Sequence, residues 1–235
     1  KYGVHYLYQP YFCASLGVFA KTSPPLTMVE AFLKKIPKRY KYIDIYLNHQ
    51  NLFSIADFPM TERVNYVLPL NRRYEEIAND YRTNLKRNIK KAEQSGLIVK
   101  ENIELAEILA LAGETMQRVS AISDEQLNRF RNVYEAAKKY KQAELIGIYS
   151  AANQLLASAV FLFSHNRWYY ILVGNHPNGK TLGASHYLID RFIHQQNRSL
   201  YSAIGLENSC RETDYRPESP ILDQHLTKCF VGICR

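Results

Sequence analysis

The chain has 235 residues, 46% of them hydrophobic and 22% charged, an ordinary globular composition with length for one large domain or two modest ones, each burying its own core. Thirty Lys and Arg against 22 Asp and Glu give a net charge of +8, which favours an anionic partner such as a nucleotide cofactor, tRNA or a membrane surface and says nothing about fold. Cys13, Cys210, Cys229 and Cys234 lack metal-ligand spacing and read as free thiols of a reducing, cytoplasmic compartment, and residues 1–20 lack the succession of regions that marks a signal peptide.

Aromatics broken by Gly3, Pro10 and Gly17 predict two short strands over residues 2–19. Thr27 and Glu30 stand in capping-box spacing ahead of Phe32, Leu33 and Ile36, a helix that ends before Pro37. Strands are expected over 42–47 and 64–70, with 52–62 irregular. A single long helix is expected from 73 to about 95, stopped by Gly96. Tyr74, Ile77, Ala78, Tyr81, Leu85, Ile89 and Ala92 form its apolar stripe, and Arg82, Lys86, Arg87, Lys90 and Lys91 lie opposite. Those cations fit a phosphate backbone, although a solvated helix face accounts for them as well.

After a short strand at 97–100, Leu105, Ile108, Leu109, Ala112, Met116 and Val119 mark a helix. Ser123 and Gln126 form a capping box for another, carrying Leu127, Phe130, Tyr134 and Ala137. Three strands follow, at 144–150, 155–164 and 168–173, joined by short turns and therefore antiparallel. Residues 145–166 carry no formal charge, but the polar interruptions at Asn153 and Gln154 make them a hairpin rather than a membrane span.

The stretch 168–193 then runs from an aromatic, β-branched strand through Gly174, Pro177 and Gly179 into a helix with Leu188, Ile189, Phe192 and Ile193 on one face. Lys180, Gly183 and Ser185 stand where that helix begins, and unpaired amides with the positive end of the helix dipole make a seat for phosphate. A strand at 200–204 closes the series.

The spacing Lys180-x-x-Gly183-x-Ser185 resembles the Arg/Gln-x-x-Gly-x-Gly/Ala pyrophosphate loop of the GNAT acyltransferase superfamily, with Lys for the usual Arg or Gln and Ser for the final small residue. The element order from 97 onward is similar to the GNAT core over about 110 residues. The segments 84–92, 174–179 and 182–185 look like its Fem-related branch, whose members carry two GNAT-like domains in tandem. The resemblance implies an α+β fold, a mixed and mostly antiparallel sheet flanked by helices. It further implies residues 1–71 as the later part of a first GNAT-like domain, 72–95 as a connecting basic helix and 96–235 as the second domain, with the chain truncated at its start.

By the same resemblance, Leu172, Val173 and Gly174 polarise an acyl carbonyl, while Lys180, Thr181, Leu182, Gly183, Ala184 and Ser185 hold the pyrophosphate of acyl-CoA, acetyl-CoA among the donors. The reaction is attack of a small-molecule or peptide amine on that carbonyl, without a metal. For proton transfer the best-placed residues are Tyr170 and Glu207, with Tyr169, His176 and Tyr201 nearby. His186, Asp190 and His194 share one helical face and are expected to be wet surface rather than a metal site.

Bacteroidetes-type members of the branch carry Phe-Glu-Gly-Ser where Leu206-Glu207-Asn208-Ser209 stands here, and the tail from about 205 reads as divergent or frame-shifted. The donor stays open between acyl-CoA and aminoacyl-tRNA, as in Fem-type peptidyltransferases acting on cell-wall precursors. A catalytically silent module binding an anionic partner is the third reading.

Overall fold

The computed structural model describes residues 4–51, 53, 55, 57–116 and 122–197, and the strands at 203–206 and 226–233. In chain order the elements are β1 (His5–Tyr8), α1 (Leu26–Lys34), β2 (Tyr40–Tyr46), β3 (Met60–Pro69), α2 (Tyr74–Asn79), α3 (Thr83–Gln94), β4 (Ile98–Glu101), α4 (Leu105–Met116) and α5 (Asp124–Lys139). They continue with β5 (Ala143–Tyr149), β6 (Leu155–Ser164), β7 (Arg167–Asn175), α6 (Pro177–Leu182), α7 (Ala184–Asn197), β8 (Ala203–Leu206) and β9 (Leu226–Ile233). The chain divides into two compact units, Lys1–Tyr66 with Leu226–Arg235, and Val67–His225.

In the first unit β1 pairs parallel with β2, and β9 pairs antiparallel with both β2 and residues 60–66 of β3. The inward side chains of β2, Ile43 and Ile45, meet Val29 and Leu33 of α1 together with Leu47, Ile55 and Phe58. Three expectations change here. Pro25, extended at ψ 154°, is the N-cap of α1, so Thr27 lies inside the first turn and caps nothing. The second opening strand is reduced to one bridge, Leu16 with Leu47, and the expected irregular stretch already enters β3 at Met60.

The second unit is a five-stranded sheet in the order β8-β7-β6-β5-β4, antiparallel except for the β7–β8 pair, and flanked by helices. The expected hairpins form for identifiable reasons. His165 and Asn166 both take positive φ (50° and 59°), the two-residue turn whose twist suits a hairpin. Asn153 (φ 60°) supplies the left-handed residue between β5 and β6. Ser123 caps α5 reciprocally with Gln126, as its spacing predicts.

The two faces of the sheet are covered differently. Phe161 of β6 stacks on Phe192 of α7 (centroids 3.5 Å apart, 4° between planes), and Trp168 meets Phe192 edge-on at 5.4 Å. On the other face Gly174 and Ser158 lie under Leu111 of α4.

The predicted long helix is two helices, α2 and α3, broken at 80–82. Arg82 is extended (ψ 147°) as the N-cap of α3. The break is stabilised by Arg72 pairing with Asp80 at 2.7 Å and by Lys86 donating to the Asn79 carbonyl at 2.7 Å. The apolar stripe survives the break, since Ile77, Tyr81, Leu85 and Ala92 are all buried. It packs on α7.

Candidate active site

β7 is the strand that positions the site. It pairs with β6 from Arg167 to Asn175, with a bulge at Ile171 that lets Phe161 face Tyr170 and Val160 face Leu172. Its described pairing with β8 covers only Trp168 and Tyr169. Residues 170–175 therefore have β6 as their one strand neighbour among the described residues. Leu172 and Gly174 are buried and Val173 is half-buried. Gly174 is required by its neighbours, because a Cβ there would lie 2.7 Å from Ser158 Oγ and 2.9 Å from Leu111 Cγ.

The run after β7 is more ordered than an open loop. His176 caps α6 with Nδ1 accepting from the Asn178 amide at 3.1 Å, and Pro177 occupies the first helical position. Its Nε2 lies 3.2 Å from the Gln154 side-chain amide. His176 is thereby committed to structure. Gly179 backs onto β6, where a Cβ would meet the Leu156 carbonyl at 2.2 Å.

Gly183 ends α6 in the left-handed region (φ 75°) and packs against α3, where a Cβ would stand 2.6 Å from the Asn88 carbonyl. Among the sequence-predicted amides, that of Lys180 bonds to His176 O at 3.2 Å and that of Gly183 to Lys180 O at 3.3 Å, with Thr181 and Leu182 inside α6 between them. The first intrahelical bond of α7 is Tyr187 N–H to Gly183 O at 3.0 Å. The amides of Ala184, Ser185 and His186 precede it and lie beyond intrahelical pairing, at the positive end of a 14-residue helix.

Ser185 donates its hydroxyl to Asn175 Oδ1, tying the start of α7 to the end of β7. Lys180 is exposed on α6, and the exposed cations Lys86, Arg87, Lys90 and Lys91 ride on α3, which packs against both α6 and α7. Ala184 is fully buried, so the junction can offer an anion the amides of the half-buried Ser185 and His186 together with a local surplus of positive charge.

The proton-transfer candidates divide. Tyr170 lies against Phe161 (5.1 Å between centroids), and burial pushes its ionisation well above the tyrosine range, so at neutral pH it is a proton donor and not a base. Glu207, Tyr201 and the tail at 207–225 lie outside the described residues.

The face carrying His186, Asp190 and His194 is not wet. Asp190 is 1% exposed; Tyr74 donates to Oδ1 at 2.7 Å and Arg191 to Oδ2 at 2.7 Å. His194 meets Tyr74 edge-on at 4.5 Å, and burial lowers the His186 pKa. The face is covered because α2 and α3 pack over it. Among the described residues no group of three His, Cys, Asp or Glu side chains is gathered for a metal, and no helix is long and apolar enough to cross a membrane.

Asn88, Asn175 and Tyr81 are site neighbours to which the sequence reading gave no role: the asparagines stand in the segments 84–92 and 174–179 and Tyr81 in the apolar stripe, and their contacts arise through tertiary packing.

Comparison with known proteins follows the same geometry. FemX superposes with a TM-score of 0.61 at 13% identity, covering 89% of this chain and 77% of that one. The C-terminal domain of a protein named as a lysylphosphatidylglycerol synthetase, from Agrobacterium fabrum, gives 0.53 at 8% identity, covering 89% and 73%. A conserved protein of unknown function from Bacteroides thetaiotaomicron gives 0.53 at 11%, covering 87% and 75%. At such identities these likenesses establish the fold alone. No curated protein matches the sequence significantly. Residues 79–203, more than half of the chain and including β7, α6 and α7, match the acetyltransferase (GNAT) domain family, and the chain belongs to that family.

Proposed function

We propose that the protein is an N-acyltransferase of the Fem-related GNAT branch, carrying an acyl group from acyl-CoA to the amine of a small molecule or peptide. The observation that supports this most is the position of the amides of Ser185 and His186, at the start of the helix that follows β7, a strand whose described pairing with β8 covers only Trp168 and Tyr169. Those amides and the Lys180 ammonium would hold the donor's diphosphate, with Thr181, Leu182 and Gly183 shaping the turn. Leu172, Val173 and Gly174 would line the thioester, their backbone donors polarising its carbonyl.

The amine lone pair attacks the carbonyl carbon, the tetrahedral oxyanion collapses, the C–S bond breaks and the thiolate leaves. The amine gives up one proton and the thiolate takes one. Tyr170, held as a phenol, suits the second transfer; Glu207 is the candidate for the first.

Titration calorimetry with CoA tests the reading. Wild-type protein should bind, and Lys180→Glu, a change at an exposed side chain, should weaken binding about fivefold at low salt. Absence of CoA binding by a folded protein would overturn it. Gly183→Trp is a poor sole control, because its positive φ and the nearby Asn88 carbonyl make the substitution disruptive in itself.

The exposed cations of α3 favour a second reading, aminoacyl-tRNA as donor. A deacylated tRNA pool would then bind with an affinity that falls steeply with salt. A silent binding module would bind neither CoA nor show transfer to any amine.

A further inference from the structure

Helix α1 of the first unit buries Val29 and Leu33 in the core beside β2 and leaves another side of its surface uncovered. Met28, Phe32 and Lys35 stand at i, i+4 and i+7, so they share a stripe that runs from the first turn of the helix to its C-cap. Met28 is 42% exposed and Phe32 63%, and Leu26 at the first helical position is 39% exposed. A single apolar side chain in water needs no explanation; three on one nine-residue helix, two of them adjacent on a stripe, do.

The charge beside that stripe is of one sign. Residues 34–41 read Lys-Lys-Ile-Pro-Lys-Arg-Tyr-Lys, five cations and no acid. Lys34 is engaged, 2.6 Å from Glu30 and 3.8 Å from Asp57. Lys35, Lys38 and Lys41 are exposed and have no acidic partner among the described residues, and the exposed Arg39 guanidinium lies 5.3 Å from the centre of the Tyr40 ring. Cations alone would suit any polyanion, as on α3, where no large apolar side chain is exposed beside Lys86, Arg87, Lys90 and Lys91. On α1 the two features coincide. A lipid surface answers both at once, since it offers phosphates to the cations and a hydrocarbon boundary to the apolar side chains. At 1.5 Å per residue α1 is roughly 14 Å long, half of what a bilayer core requires, so such a helix lies on the surface and does not span it.

We infer that α1 and the segment 35–41 form a docking surface for a bilayer that carries anionic lipid, Met28 and Phe32 entering the headgroup boundary while Lys35, Lys38, Arg39 and Lys41 pair with lipid phosphates. The surface belongs to the first unit and stands independently of the acyl donor read for the second.

Co-sedimentation of the whole chain with vesicles tests it, using phosphatidylcholine alone and phosphatidylcholine mixed in equal parts with phosphatidylglycerol. The wild type should bind the mixed vesicles and not the neutral ones, with a partition coefficient that falls as salt is raised. Lys35→Gln with Lys38→Gln should weaken binding about 25-fold, at roughly fivefold for each cation removed beside an anionic surface. Lys139→Gln with Lys141→Gln, the same charge change at exposed residues elsewhere, should weaken it about twofold or less. Phe32→Ser, which leaves the charge unchanged, should weaken it about tenfold. Insertion has its own signal. The chain's one tryptophan, Trp168, is 1% exposed, so the indole added in Phe32→Trp should shift its emission to the blue on mixed vesicles and be quenched by brominated acyl chains. Thermal melting establishes that each variant is folded. Failure of the folded wild type to bind mixed vesicles overturns the surface, as does binding that the Lys35 and Lys38 double variant and Phe32→Ser retain in full. Binding that needs the lysines while the Phe32→Trp emission stays unshifted overturns it as well, and polyuridylate bound with the same lysine dependence then identifies nucleic acid as the partner of this face.

Discussion

The two faces of α7 are both buried, by opposite means. The inner face presents Leu188 and Phe192 to the sheet, where Phe161 and Trp168 need only complementary shape. The outer face presents His186, Asp190 and His194 to α2 and α3, where each polar group needs a particular partner: Tyr74 and Arg191 for Asp190, the Tyr74 ring for His194, Asn88 near His186. Apolar burial is non-directional and grows with area, whereas burial of a carboxylate is tolerated only when its lone pairs are satisfied. One helix thus anchors the fold on one side and, on the other, aligns the basic helix with its own N-terminus.

Truncating the inner face should cost most. Phe192→Ala removes a fully buried ring from a stack of three aromatics and should lose about 3–5 kcal/mol in urea unfolding. A loss under about 1 kcal/mol would mean that the stack is not part of the core.

On the outer face, Asp190→Ala leaves the Tyr74 hydroxyl and the Arg191 guanidinium without their acceptor and should cost about 2–4 kcal/mol. Tyr74→Phe, which deletes a single hydrogen bond, should cost about 1 kcal/mol. If the aspartate variant were as stable as a surface substitution, the outer face would be incidental contact and the contrast drawn here would fail.

At the junction itself, Gly183→Ala adds a Cβ in the left-handed region against the Asn88 carbonyl. It should cost about 1–2 kcal/mol from the backbone conformation alone, with a further loss if α3 must shift. Urea unfolding measures the stability; calorimetry with CoA reports whether α3 displacement disturbs the amide seat.

The smallest effect is in pH. Burial lowers the His186 pKa in the folded chain, so the unfolded chain binds its proton first as pH falls. The stability that neutral His186 allows is fully present above about pH 6.5 and is lost progressively below it, towards the folded pKa. Melting temperatures at pH 5 and pH 7 should therefore differ more for the wild type than for His186→Gln. Equal differences would place His186 in water.

Much of this was legible before any coordinates. Apolar, aromatic and β-branched runs joined by short turns predicted β5, β6 and β7 to within a residue or two, because strand preference and hairpin turns are local physics. The Ser123 cap was readable for the same reason. The break at 80–82 was not, since Ile77, Tyr81 and Leu85 keep helical spacing across it, and the Arg72–Asp80 pair that stabilises it is a surface detail. Nor was the burial of Asp190 readable, because a polar face looks wet until another element is known to cover it.

By itself the sequence determined the order of elements, the glycines and the small residue that let β7 turn into α7, and membership of a GNAT-type acetyltransferase family, all consequences of chain-local preference. Tertiary structure decided which amides remain free, since α6 consumes those up to Gly183 and only the start of α7 is left open. It also decided that α7 and the segment carrying Tyr81 and Leu85 enclose a small cavity. That depends on which side chains meet across more than a hundred residues of chain, a relation no local pattern encodes.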